Sequence, residues 1–260
     1  MKKLIVRLIC AGVLCLWFTG CSLPLRQMVS DNDIASMSPK EITTRMVEAV
    51  GGRERWDWDN VPGYTIAYYQ CDYEAGVHRR VFAWVVSYDK CRIEIETYRG
   101  TEKVTNLLLI ASSGKTVTYE NGKMVNEVED ETERNFLINS RLQTYLDEIP
   151  GPFVNLEKKA DKAELLGEEE VLGQPCYLLA WKQPEKEVRI CVDKESFYLL
   201  KVEVIQKDKH MVKYATRYRK FGDVFFPSIK EIYVNGDLKV RLLITHLSLG
   251  LPDESLFRIE

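Results

Sequence analysis

From Val61 onward the chain alternates apolar and polar residues with a period of two, and short turn signals interrupt the alternation. That pattern suits half-buried antiparallel strands and little else, because only an extended backbone sends successive side chains to opposite faces. Tyr64, Ile66 and Tyr68 alternate with Thr65, Ala67 and Tyr69 before a turn at Glu74-Ala75-Gly76. Residues 79–86 form the next strand, and Tyr88-Asp89-Lys90 turns again. Cys91, Ile93, Ile95 and Thr97 then alternate with Arg92, Glu94 and Glu96. Strands at 103–111 and 116–119 follow, with turns at Ser112-Ser113-Gly114 and Asn121-Gly122, so the product is a meander. A second run covers 163–171, 176–181, 188–192, 198–206, 211–219, 229–234 and 238–247, with turns at Leu172-Gly173, Gln183-Pro184, Lys207-Asp208 and Asn235-Gly236.

Two segments break this period. Ser38-Pro39-Lys40-Glu41 is a capping box with Pro at the first helical position, and Ile42, Met46, Val47 and Val50 recur helically until Gly51-Gly52. Between Glu131 and Ile149, Phe136, Leu137, Leu142, Tyr145, Leu146 and Ile149 fall at helical spacings, and Pro150-Gly151-Pro152 ends the segment. A helix in the middle of a sheet has to pack somewhere; Phe136, Leu142, Tyr145 and Leu146 are expected to make it a lid across the concave face. The fold class is α+β, mainly antiparallel β: ten or more strands in one strongly curved sheet wrapped around helices. Thirteen Tyr, five Trp and nine Phe suit such a sheet.

The N-terminus reads as an address. Lys2, Lys3 and Arg7 precede an apolar run from Leu8 to Phe18, which ends in Thr19-Gly20-Cys21. A basic stretch, a short apolar core and a small-residue cleavage site make a signal peptide, here residues 1–20. Trp17-Phe18-Thr19-Gly20-Cys21 resembles the lipobox of bacterial lipoproteins, with Phe18 where that family usually has an aliphatic residue. The resemblance implies a diacylated Cys21 carrying palmitate-type chains, and two chains anchor stably. Ser22 and Leu23 follow without an acidic residue, which by the same resemblance implies outer-membrane retention facing the periplasm. Residues 21–38 read as a tether and residues 39–260 as one domain. Removing residues 1–20 takes Lys2, Lys3 and Arg7 and leaves 33 basic against 39 acidic residues, or −6. That balance argues against nucleic acid and against adhesion to anionic lipid by charge.

Of seven Cys, Cys10 and Cys15 leave with the signal and Cys21 takes lipid. Counting outward from a Gln183-Pro184 turn sets Cys176 opposite Cys191, so a cross-strand disulfide is expected there. A plain meander holds Cys71 and Cys91 apart. His78, His210 and His246 lack ligand spacing, and no catalytic motif is present, so neither a metal, a cofactor nor an enzymatic activity is expected. Glu168-Glu169-Glu170 reads as a solvated face. Lys207, Lys209, Lys213, Arg217, Arg219 and Lys220, interleaved with Tyr214 and Tyr218, read as the outer face of a strand pair.

Several segments together resemble the LolA-like superfamily of periplasmic lipoprotein carriers. They are Ala49-Val50-Gly51-Gly52 with Trp56 and Val61, Gly173-Gln174-Pro175-Cys176-Tyr177, the run from Val192-Asp193 to Leu200-Lys201-Val202-Glu203, Phe221-Gly222-Asp223 with Phe226-Pro227, Asn235-Gly236, and Leu256-Phe257. The resemblance implies an incomplete β-barrel, helices on its open side, and a cavity for acyl chains. Candidate cavity residues are Tyr64, Ile66 and Tyr68 on the first strand, Phe82 and Trp84 on the second, and Ile93 and Ile95 on the third. Tyr177, Leu179, Trp181, Val188 and Ile190 join them from the later hairpin. The expected function is non-enzymatic binding of a lipid or of a lipoprotein's acyl groups in envelope sorting. The alternative is an envelope module that binds a protein partner without cargo, like the stress-sensing relatives of this fold.

Overall fold

The computed structural model describes residues 37–56, 62–87, 89–134, 136–137 and 151–259. The signal peptide, Cys21, most of the tether, Val61, Tyr88, Leu142, Tyr145 and Leu146 lie outside the described residues.

Thirteen strands form one antiparallel sheet. The first meander comprises β1 (Tyr64–Asp72), β2 (Val77–Ser87), β3 (Lys90–Arg99), β4 (Glu102–Ser112), β5 (Lys115–Glu120) and β6 (Lys123–Val128). The second comprises β7 (Glu164–Val171), β8 (Gln174–Gln183), β9 (Lys186–Asp193), β10 (Leu199–Gln206), β11 (Lys209–Phe221), β12 (Val224–Val234) and β13 (Asp237–Leu249). β1 pairs with β13, which sets the order β6-β5-β4-β3-β2-β1-β13-β12-β11-β10-β9-β8-β7. The sheet is not closed: β6 and β7 are its two edges. It has the open, mainly antiparallel architecture expected, with β6 an additional strand beyond those read from the alternation.

Helix α1 (Pro39–Ala49) carries the predicted capping box: the Glu41 N–H donates to Ser38 Oγ, and the Ser38 N–H donates to the Glu41 carboxylate. Ile42, Met46, Val47 and Val50 are all buried. α2 (Arg53–Trp56) follows, and α3 (Gly151–Lys158) packs against α1. Pro150-Gly151-Pro152 reads as a helix stop in the sequence. Pro152 instead lies in the first turn of α3, where a missing N–H costs nothing.

The helices meet the sheet through aromatic rings. The Trp56 centroid is 5.4 Å from Phe153 of α3 and 5.7 Å from Phe226 of β12. Trp56 Nε1 donates to the Val50 carbonyl, which also accepts from the Phe225 N–H. Trp181 Nε1 of β8 donates to the Lys159 carbonyl just past α3, at 2.8 Å. Gly51 makes this junction possible: its φ is +126°, and a Cβ there would stand 3.0 Å from Val224 Cγ1 and 3.2 Å from the Asp223 carbonyl.

The β8–β9 hairpin corrects the predicted register. Gln183 is opposite Lys186 and the turn is Pro184-Glu185, so Cys176 faces Asp193 and Cys191 faces Leu178. Proline presets φ for the first central position of a turn and is disfavoured at the second, which moves the register by two. Side chains keep their faces, but the two thiols become diagonal neighbours, and both are free. They pack with Val171 and Leu200 on the face away from the helices.

Gly51→Ala should cost about 1–3 kcal/mol in urea unfolding, since it adds a strained left-handed residue to a crowded contact. Burial raises the Cys91 and Cys191 thiols to about 12 and Cys176 to about 11, with Glu169 and Asp193 adding to the last two. Brief alkylation of the native chain near pH 8, read by mass spectrometry, should therefore mark half-exposed Cys71 first. Unfolding without reductant should then release the other three, and recovery of a Cys176–Cys191 disulfide peptide would contradict the free-thiol arrangement.

Candidate functional site

The inner face of the sheet is the one that carries Trp181 and Phe226 to the helices. Direct cross-strand partners share a face, so the ladder extends it strand by strand. Its deep rows are closed. Tyr64, Ile66, Ile93, Leu179 and Ile190 are at most 1% exposed, and Tyr68, Ile95 and Tyr177 are also buried. All these predicted cavity residues share the inner face, yet they form packed core.

Phe82 and Trp84 do not join them. Phe82 is opposite Ala67 and Glu94, and Trp84 is opposite Thr65 and Arg92, which puts both on the outer face, stacked at 6.1 Å. Val81, Ala83 and Val85 take the inner positions. The run Val81-Phe82-Ala83-Trp84-Val85-Val86 is apolar on both sides, so alternation could not choose, and size favoured the wrong set. Phe136 is 74% exposed; the other expected lid residues lie outside the described residues, and among the described residues α1, Trp56 and Phe153 pack on the inner face.

Burial then falls along the strands. At the end where the helices sit, inner side chains are buried; toward the turns at Pro184-Glu185, Lys207-Asp208 and Asn235-Gly236 they open. One row runs Trp181, Val188, Val204, Met211, Val234, each directly opposite the next. Trp181 is buried and the other four are half-buried. Immediately outside lies an exposed polar row of Gln183, Lys186, Gln206 and Lys209, and immediately inside lie Val202, Lys213 and Ile232. Four strand spacings of about 4.8 Å make the apolar row roughly 19 Å long and one side chain wide. Of the residues singled out in the sequence only Trp181 and Val188 belong to it. Val204, Met211 and Val234 carried the same alternation, but they lack aromatic rings.

Lys213 corrects the sequence reading of the basic stripe. It stands opposite Val202 and Ile232, on the inner face, and Lys209 shares that side. Tyr214 and Tyr218 take the outer face instead, packed on the cluster of Cys176 and Cys191. Tyr218 stacks on Tyr198 at 4.1 Å and donates to the Leu199 carbonyl at 2.8 Å. Lys201 lies beside them, 8% exposed and 2.6 Å from Glu169. Burial is the largest influence and opposes its charge, but the Glu169 bond together with neighbouring Cys191 and Glu203 raises its pKa overall. This outer network is satisfied structure. Among the described residues no group of three or more His, Cys, Asp or Glu could hold a metal.

Further along the inner face Gln70, itself buried, is opposite Leu242 and Arg79, and Asp72 accepts from Arg79 at 2.7 Å. For Asp72, desolvation works against the charge, while the Ala75 N–H and Arg79 lower its pKa overall.

No family model matches the chain, and no curated protein matches it by sequence. Its structural neighbours are DUF1329 and LolA-superfamily proteins. A DUF1329 family protein from Desulfovibrio piger is 14% identical over 85% of this chain and 95% of its own, with a TM-score of 0.48. An outer membrane lipoprotein-sorting protein domain from Vibrio parahaemolyticus is 14% identical over 84% and 95%, at 0.46. A LolA superfamily protein from Nitrosomonas europaea is 10% identical over 86% and 99%, also at 0.46. At this identity the likeness is one of fold.

A lowered carboxyl pKa stabilises the fold above the ordinary carboxylate pKa, and that contribution disappears as pH falls through the lowered value. Asp72→Asn should therefore flatten the loss of stability as pH falls below the ordinary carboxylate range, seen as a smaller drop in urea midpoint on acidification.

Proposed function

We propose that this chain is a non-enzymatic envelope protein that holds an acyl chain of a lipid or lipoprotein against the inner face of its sheet. The observation that carries this reading is the half-buried apolar row from Trp181 to Val234. It lies between a packed core and a polar rim. Apolar side chains left half-wet in a single file gain about 0.8 kcal/mol for each methylene that covers them. A hydrocarbon chain matches the row in width and needs no polar partner along it.

Anchorage through Cys21 would keep this mouth near a membrane. A tether of residues 21–38 reaches at most about 60 Å when fully extended. By the resemblance to bacterial lipoproteins, Ser22 and Leu23 after Cys21 would retain the chain at the outer membrane, with its body facing the periplasm. The neighbouring polar row at the rim would meet headgroups or water while the chain lies inside.

Native mass spectrometry of the mature chain, purified without detergent, should recover a bound lipid. Met211→Glu places a carboxylate in the middle of the row at a half-buried position, so it should leave folding intact and weaken lipid binding about tenfold or more. An empty native chain that also fails to take up added fatty acid would end the acyl-binding reading. A periplasmic protein captured equally well by the native and Met211→Glu chains, with no lipid on either, would favour the partner-binding module instead.

A further inference from the structure

Gln70 of β1 is 5% exposed, and among the described residues no donor reaches its buried side-chain carbonyl oxygen. Polar groups near it are satisfied within the chain. Asp72, the next inner residue of β1, accepts from Arg79 at 2.7 Å and from the Ala75 N–H at 2.9 Å, and Ser228 of β12 donates to the Arg217 carbonyl at 2.7 Å. A buried carbonyl without a donor costs stability, and a leucine or methionine would fill the same place without that cost. The oxygen is therefore accounted for by a donor that enters from outside the fold.

An apolar path joins Gln70 to the file. Leu242 is opposite Gln70, Val240 is opposite both Asp72 and Ile232, and Ile232 is the inner residue of β12 next to Val234. Leu242, Val240, Ile232 and Val234 are all half-buried, like the file itself. Four residues along β12 and two strand spacings across place Gln70 about 16 Å from Val234. The charges beside Gln70 then select a head. Arg79 is opposite it on β2 and is tied to Asp72, so this corner is balanced. A carboxylate or phosphate would set oxygen against oxygen, and an ammonium would have to lose its water beside a guanidinium. An uncharged O–H or N–H donates to the carbonyl at neither cost.

We propose that the site takes an acyl chain with an uncharged, hydrogen-bond-donating head, the head donating to Gln70 and the chain running past Leu242 and Ile232 to the file at Val234 and Met211. This rests on the acyl-binding reading and names its ligand class: neutral acyl lipids whose head carries a hydroxyl or an amide N–H. Satisfying one buried carbonyl should favour such a head over a plain ester about tenfold.

Calorimetric titration of the mature chain with monopalmitoylglycerol, palmitamide and methyl palmitate tests it. The first two bring a hydroxyl and an amide N–H, and each should bind about tenfold tighter than the donor-free ester. In the Gln70→Met chain that preference should vanish while ester affinity stays within about twofold. The same substitution on the exposed rim row, Gln206→Met, should leave the preference in place. Without ligand, Gln70→Met should unfold at an equal or higher urea midpoint, since it removes an unpaired buried oxygen and keeps the volume. Equal binding of all three ligands to the native chain would overturn the donor site while leaving acyl binding intact. A lowered midpoint in Gln70→Met with the preference unchanged would make Gln70 an ordinary structural residue and also overturn it. Failure of all three ligands to bind would overturn the acyl-binding reading itself.

Discussion

The pairing of β1 with β13 holds the molecule together. Every other ladder joins strands that follow one another in the chain, and each such hairpin forms from local contacts. Without Tyr64 opposite Leu249, Ile66 opposite Leu247 and Tyr68 opposite Ile244, there would be two meanders with two separate half-cores. A bulge between Ala67 and Tyr68 adjusts the register at this seam. Because of it, Tyr68 and Ile244 share the inner face on one side of the bulge, just as Ile66 and Leu247 do on the other, and all four are buried. The inner face runs unbroken from β5 to β8 for that reason.

The helices then fill one end of that face. Trp56, Phe153 and Phe226 form a three-ring contact, and Gly51 allows the helix end to sit against the β11–β12 turn. A short helix layer cannot cover strands of eleven to thirteen residues such as β11 to β13. Among the described residues, no helix reaches the file around Met211. Among the described residues the candidate site is thus the remainder of a length mismatch between two layers.

The sequence carried the strands well, because two-residue alternation and turn pairs are local signals. It carried faces only where one side was polar. Cys91, Ile93 and Ile95 alternate with Arg92 and Glu94 and were placed correctly, whereas Phe82 and Trp84, in an all-apolar run, were not. Lys213 is the opposite case: a run of lysines and arginines reads as the outer face, yet Tyr214 and Tyr218 serve a second cluster there and Lys213 takes the inner face. Pro152 and Pro184 show how one residue type misleads twice, once as a helix start read as a stop and once as a turn read one position early. Nothing local marks Val204 or Met211 as half-covered, since that depends on where helices from other parts of the chain happen to end.

The sheet's unpaired edges have a mechanical consequence. In a closed barrel the bore is fixed by strand number and stagger, so a wider guest must break hydrogen bonds to enter. Here β6 and β7 are not joined, and a change of twist spread over thirteen strands alters the spacing across the mouth while every ladder stays intact. The sheet is compliant along one direction and stiff along the other.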